Sequence, residues 1–205
     1  MNRKKTEPCK RPYSLGKRLE SSGRTRANIL DAARAQLASH GFLNFTLDGL
    51  ARESGVTRQT IHNLFGTKSG LLEALFDQLA IEGGMERMRF VMQQSDPSAM
   101  LSGFVEIFTG FWSRDTLLLR RIHGIAAIDP EFGAVLEARN KRRRMAATRV
   151  VGVLGKSSEG KDAADRINAL YALTSFEFYC SIMEVNDDHG EAAQLIRSIV
   201  EKSLL

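Results

Sequence analysis

Cysteine is scarce: Cys9 and Cys180 are the only two in 205 residues. Two thiols cannot supply a disulfide scaffold, and such usage fits a reducing cytoplasm. No apolar run approaches the roughly 18 residues of a membrane span. The start is basic, but the apolar stretch of about 7–15 residues that marks a secretory signal does not follow it. A soluble, cytoplasmic protein without membrane contact is therefore expected. Histidine is also sparse. His40, His62, His123 and His189 show no metal-ligand spacing with each other or with the cysteines. No nucleophile–base pairing stands out. Gly155-Lys156-Ser157 has the end of a phosphate-binding loop, but Val150 occupies the place of its first glycine. Asn44-Phe45-Thr46 fits a glycosylation sequon, which means nothing without a secretory signal. No enzyme, cofactor or metal is expected.

What is present is enough for a folded core. Apolar residues make up 43% of the chain and charged residues 26%. The net charge is a mild +5, but its distribution is uneven. Residues 1–70 hold thirteen Lys and Arg against five Asp and Glu, a charge of +8; residues 71–205 carry −3. A basic front on a slightly acidic body suggests a polyanion-binding module joined to something else. Residues 1–22 read as a flexible basic arm, with Arg3, Lys4, Lys5, Lys10, Arg11, Lys17 and Arg18 among Pro8, Pro12 and Gly16.

From about Thr25 the pattern is helical. Ile29, Leu30, Ala33 and Leu37 share one face, His40 lies in the last turn, and Gly41 is a natural stop. Phe42 and Phe45 read as loop anchors. Thr46 reads as the N-cap of a short second helix bearing Asp48, Leu50 and Ala51, ended by Ser54-Gly55. Thr57 caps a third, with Ile61, Leu64 and Phe65 inward and Gly66 as breaker. Thr67 caps a fourth, which carries Leu71, Leu72, Leu75, Phe76 and Leu79. Further helices are expected near 86–94, 98–113, 115–128, 131–154, 161–186 and 189–203. No convincing strand alternation or internal repeat appears. The fold class is all-α: a helix-turn-helix domain over 23–70 followed by a larger helical domain over 71–205.

Residues 46–65 have the spacing of a helix-turn-helix. Ala51 permits close helix crossing, Gly55 permits the turn, and Val56, Ile61 and Leu50 fill the junction. The outer face of the second helix carries Thr57, Arg58, Gln59, Thr60, His62 and Asn63. All can hydrogen-bond and none is acidic, as base edges and phosphates require. Thr57 and Lys68 lie at helix N-termini, which favour phosphate. Thr46 completes the expected DNA-binding set.

The stretch Arg24–Leu75 resembles the N-terminal domain of the TetR family of transcriptional regulators. The matching residues are Ile29-Leu30-Asp31-Ala32-Ala33, Gly41-Phe42, Thr46, Leu50-Ala51, Ser54-Gly55-Val56-Thr57, Thr60-Ile61, Phe65, Lys68 and Leu71-Leu72. The resemblance implies a DNA-binding homodimer whose C-terminal domain binds a small effector. His62 stands where the family usually has Tyr, Leu64 where His or Tyr is frequent, and Gly66 where Pro is frequent. Gln59 replaces a smaller residue.

Beyond the resemblance, Phe104, Phe108, Phe111 and Trp112 share a helical face. Phe104, Phe108 and Trp112, with His123, Tyr171 and Thr174, are candidate contacts for a largely apolar effector. The basic run Arg139–Arg144 reads as a solvated helix face. Two apolar seams are candidates for a dimer bundle: Ile167, Leu170, Tyr171, Thr174 and Phe178, and Ala192, Leu195, Ile196, Ile199 and Val200. Tyr171, Thr174, Phe178, Leu195 and Ile199 are the expected interface. The functional expectation is a repressor on a palindromic operator, released by an effector. A small helical enzyme and an effector-free architectural DNA-binding protein are the alternatives.

Overall fold

The computed structural model describes residues 15–40, 45–155 and 160–205. Eleven α-helices and one 3-10 turn make up these residues, with no strand among them. The order is α1 (Leu15–His40), α2 (Leu47–Glu53), α3 (Arg58–Phe65), α4 (Lys68–Glu82), the 3-10 turn (Met85–Arg87), α5 (Met88–Val91), α6 (Pro97–Arg114), α7 (Thr116–Ile128), α8 (Pro130–Val153), α9 (Lys161–Leu173), α10 (Phe176–Met183) and α11 (His189–Leu204). The all-α expectation holds.

Side-chain caps start most of these helices. Thr46, Thr57 and Thr67 each accept a hydrogen bond from the backbone N–H three residues on. Asp96, Asp115, Asp129 and Asp188 do the same for α6, α7, α8 and α11. Each such cap stabilises its helix by about 1 kcal/mol. Pro97 and Pro130 occupy the first helical position, where no N–H is needed.

α1 starts at Leu15, ten residues before the expected Thr25. The expected flexible arm over 1–22 therefore overlaps a helix from residue 15 on. Between Pro12 and His40 there is no proline, and the isolated glycines Gly16 and Gly23 each cost a helix only about 1 kcal/mol against Ala. The first fourteen residues, the expected stop at Gly41, Phe42, Asn44 and the pair Lys156-Ser157 lie outside the described residues. Gly155 does end α8 in left-handed backbone, at φ 68°.

The expected helix over 161–186 is two helices. Thr174 turns its hydroxyl back to the Leu170 carbonyl, and its own carbonyl accepts the indole N–H of Trp112 at 3.1 Å. Ser175 then caps α10 by accepting from the Phe178 N–H. The backbone bonds that would continue α9 are thus taken by side chains. The expected helix over 86–94 is only the 3-10 turn and four-residue α5.

One buried apolar cluster runs through both halves of the chain. It joins Ile29, Leu37, Leu50, Ile61 and Leu71 to Phe76, Phe104, Phe111, Ile122, Phe132 and Val150. The expected boundary at 70/71 falls inside α4, a helix that both halves share. Arg34 of α1 reinforces the junction by pairing with Glu82 and Asp115, both at 2.9 Å. Arg121 of α7 donates to the Leu37 carbonyl at the end of α1.

Candidate nucleic-acid interface and effector cavity

α2 and α3 are held at a fixed crossing by residues that leave the outer face of α3 free. Leu50 and Ile61 are buried between the helices, and small Ala51 lets them approach. Gly55 takes φ 67°, which a side chain would strain. The Val56 N–H then bonds the Ala51 carbonyl, closing the turn at 3.0 Å. The Ser54 hydroxyl donates to the Leu50 carbonyl. α3 ends at Gly66, φ 72°. Arg26 of α1 lies over the Phe65 ring at 5.4 Å.

The expected DNA-binding residues on α3 come together. Thr57, Arg58, Gln59, His62 and Asn63 are exposed on α3 and its cap, and Thr60 is half-buried. Gln59 donates to the Asn63 carboxamide oxygen at 2.8 Å, and the hydroxyls of Thr57 and Thr60 lie 2.9 Å apart. These contacts fix rotamers before any ligand arrives, which lowers the entropy lost on docking. Arg58 stands 3.5 Å from Asp48 of α2. Reading α3 alone missed this acidic neighbour, although Asp48 was visible as a first-turn residue of the preceding helix. Both side chains are well exposed, so the pair is weak and open to exchange for a phosphate or base.

Thr46 and Lys68 are placed differently from the α3 set. Thr46 is exposed but its oxygen serves the Gly49 N–H. Lys68, half-buried at the start of α4, donates to the Phe45 carbonyl at 3.0 Å and lies 5.1 Å from the Phe45 ring. Burial pulls its ammonium below the ordinary lysine value, against the opposing pull of Asp129. Beside it, the Thr67 hydroxyl donates to Glu131 of α8 at 3.0 Å. The start of α4 thus touches both α3 and the start of α8.

The other end of α4 borders a cavity of about 370 Å³. Phe76 and Ala80 of α4, Met85 and Met88, and Phe108, Phe111 and Trp112 of α6 form its apolar walls. α8 closes it with Leu136, Arg139, Asn140, Arg142, Arg143 and Ala146. Of the expected effector contacts, Phe108 and Trp112 line this cavity; Phe104, His123, Tyr171 and Thr174 do not. Phe104 is fully buried in the core. His123 packs on the Trp112 and Phe176 rings, with Nδ1 at 3.2 Å from Glu177. That hydrogen bond, stronger than the opposing effect of burial, holds the Glu177 carboxyl at about 2.

The reading of Arg139–Arg144 as a solvated face is corrected by the structure. Arg142 and Arg144 are exposed, but Arg143 is only 7% exposed. Its Nη1 donates to the Tyr171 carbonyl and approaches the Thr174 hydroxyl, and its guanidinium lies 4.0 Å from the Tyr171 ring centre. Burial pushes this guanidinium below its ordinary value, with Tyr171 and Glu177 opposing. Arg139 pairs with Asp77 at 2.6 Å and lies over the Phe76 ring. Each has a buried Nε–H without a partner among the described residues. An unpaired buried donor costs about 1–3 kcal/mol, more on a charged group.

The two expected seams divide between inside and outside. Leu170, Thr174, Ala192, Ile196 and Val200 are buried within the chain. Thr174, 2% exposed, serves Trp112, Leu170 and Arg143 and has no surface to offer a partner. Ile167, Tyr171, Phe178 and Ile199 are half-buried, and Leu195 is 40% exposed.

A family model described as bacterial regulatory proteins, tetR family, matches residues 29–75. Over 82 residues the chain is 32% identical to the HTH-type transcriptional regulator BetI of Agrobacterium fabrum, a match covering 40% of each chain. The aligned stretch is therefore well under half the length of that relative. The fold is similar to that of a TetR transcription regulator from Haloarcula marismortui, with TM-score 0.69, 18% identity, and 89% and 97% of the two chains covered. It is also similar to NalD, the secondary repressor of the MexAB-OprM multidrug efflux pump in Pseudomonas aeruginosa, with TM-score 0.67, 21% identity, and 90% and 98% covered. The capped α1–α4 unit thus carries, over residues 29–75, the match to the tetR family of bacterial regulatory proteins.

Proposed function

We propose that this chain is a DNA-binding transcriptional repressor that acts as a homodimer on a palindromic operator and is released by a small effector. The carrying observation is the outer face of α3: Arg58, Gln59, His62 and Asn63 project from a helix fixed by caps at both turns. Arg suits guanine and Gln suits adenine in the major groove. One such helix reads too few base pairs for a specific genomic site, so two copies related by a two-fold axis are needed. The repressor sense draws on NalD, a repressor of the same fold. The effector reading draws on the aromatic cavity against α4. Thr60 joins Arg58 and Gln59 in the first turn that meets base edges, and Thr46, Thr57 and Lys68 are assigned to the phosphate backbone.

Selection of duplexes from a random-sequence pool with the full chain tests the reading. The enriched sites should be palindromic, with half-sites about one helical turn or a multiple apart. Arg58→Ala or Gln59→Ala should each cost about 1–3 kcal/mol on such a site and relax one position per half-site. Equal weakening on every sequence would make both residues backbone contacts instead.

Lys68 is tested through salt. Lys68→Ala should weaken binding to all sequences and make the log–log salt slope shallower by about 1 unit per head. A fall in melting temperature with an unchanged slope would leave Lys68 as a brace for the Phe45 carbonyl only.

A further inference from the structure

We propose that the cavity between α4, α6 and α8 takes an anionic, carboxylate-bearing ligand with an apolar body, held by the Arg143 guanidinium. This deepens the effector reading above and rests on it. Arg143 is 7% exposed and lines the cavity wall. Its Nη1 corner is anchored on the Tyr171 carbonyl and the Thr174 hydroxyl. Nε is buried with no hydrogen-bond partner among the described residues, so the guanidinium has bonding capacity left over. A guanidinium edge with two parallel N–H groups matches a carboxylate bidentately.

The local charge balance favours the same class. Asp77 is the cavity's carboxylate, and Arg139 already pairs with it at 2.6 Å. Arg142 and Arg143 line the wall without an ion pair of their own among the described residues. A cation would enter against a wall with three arginines and one carboxylate, whereas an anion would complete Arg143. Phe108, Phe111 and Trp112 supply the apolar side. About 370 Å³ suits a compact ligand with one ring or a medium chain.

The full-length protein can be tested with three probes sharing one body: 6-phenylhexanoate, its primary amide, and the matching trimethylammonium cation. Trp112 is the chain's only tryptophan and lines the cavity, so its fluorescence reports binding directly. Calorimetry gives the affinities. The carboxylate should bind at least about tenfold tighter than the amide, as a charge-assisted pair requires, and the cation weakest. Arg143→Gln should bring acid and amide close to equal, while Arg143→Lys should keep part of the preference. The wild-type comparison decides the matter even where Arg143→Gln fails to fold. Equal affinities, or a preference for the cation, would overturn the assignment. If the amide or cation nevertheless releases selected operator DNA, the effector reading stands while the anion class falls. Binding by none of the three would overturn both.

Discussion

Leu195→Glu combined with Ile199→Glu should turn a dimer into a monomer and reduce affinity for a palindromic site by at least about a thousandfold, the lower range separating specific from non-specific binding. The two residues lie one turn apart on α11, and both reach the surface in the single chain. The interior of the protomer should tolerate the charges, because the inward face of α11 is formed by Ala192, Ile196 and Val200. Paired across a two-fold axis, the same charges would be buried against like charges or apolar surface. Sedimentation should give a dimer for the wild type and about 23 kDa for the variant (22.8 kDa by composition). Helical circular dichroism should be unchanged. A variant that remains a dimer and still binds the palindrome would move the interface elsewhere and leave these residues as ordinary surface.

Gly70→Ala should have a comparably large effect from inside the head. Gly70 sits in the first turn of α4, and a Cβ there would lie on the carbonyl oxygen of Phe65, the last residue of α3. The obstacle is backbone, which cannot rotate away. Either α3 or α4 must shift, and overpacking of this kind costs about 1–3 kcal/mol. The shift would tilt α3 itself, so DNA affinity should fall more steeply than stability does. Chemical denaturation and binding to the selected site measure the two separately. Stability and binding close to wild type would mean that α3 and α4 adjust freely, contrary to the close backbone packing. Gly110→Ala is the natural control, since nothing stands within 4 Å of its Cβ position.

The head was legible because each of its devices is local. A Thr cap needs only a hydroxyl and an N–H three residues away, and Thr46, Thr57 and Thr67 each announce a helix start in sequence. Gly55 and Gly66 mark the stops. The cavity was less legible because its walls come from four separate stretches, and periodicity within one helix says nothing of what faces it. α8 shows the difficulty. Phe132, Leu136, Ala147 and Val150 form its buried stripe, and Arg143 occupies that stripe's register. Within the run Arg139–Arg144 it looks like one charge among many; its place on the apolar face was the available signal. Thr174 misled in the opposite sense. A helical seam through Tyr171 and Phe178 puts it on a surface, but its carbonyl is taken by Trp112, 62 residues away. No local pattern contains that bond.

α4 has one end against Phe65 and Glu131, and toward the other its own Phe76 and Ala80 line the cavity. At about 1.5 Å per residue, its 15 residues form a rigid rod of about 22 Å. Pivoting such a rod by about 5° at the cavity end displaces the far end by about 2 Å. In a two-fold assembly both heads would be displaced, and their separation would change by up to about 4 Å, slightly more than the 3.4 Å rise of one base-pair step. A rearrangement no larger than a side-chain rotation beside Phe76 would then put the two reading helices out of phase with a fixed pair of half-sites. Sensitivity to a small molecule would thus follow from the length of one uninterrupted helix and the discreteness of the DNA ladder.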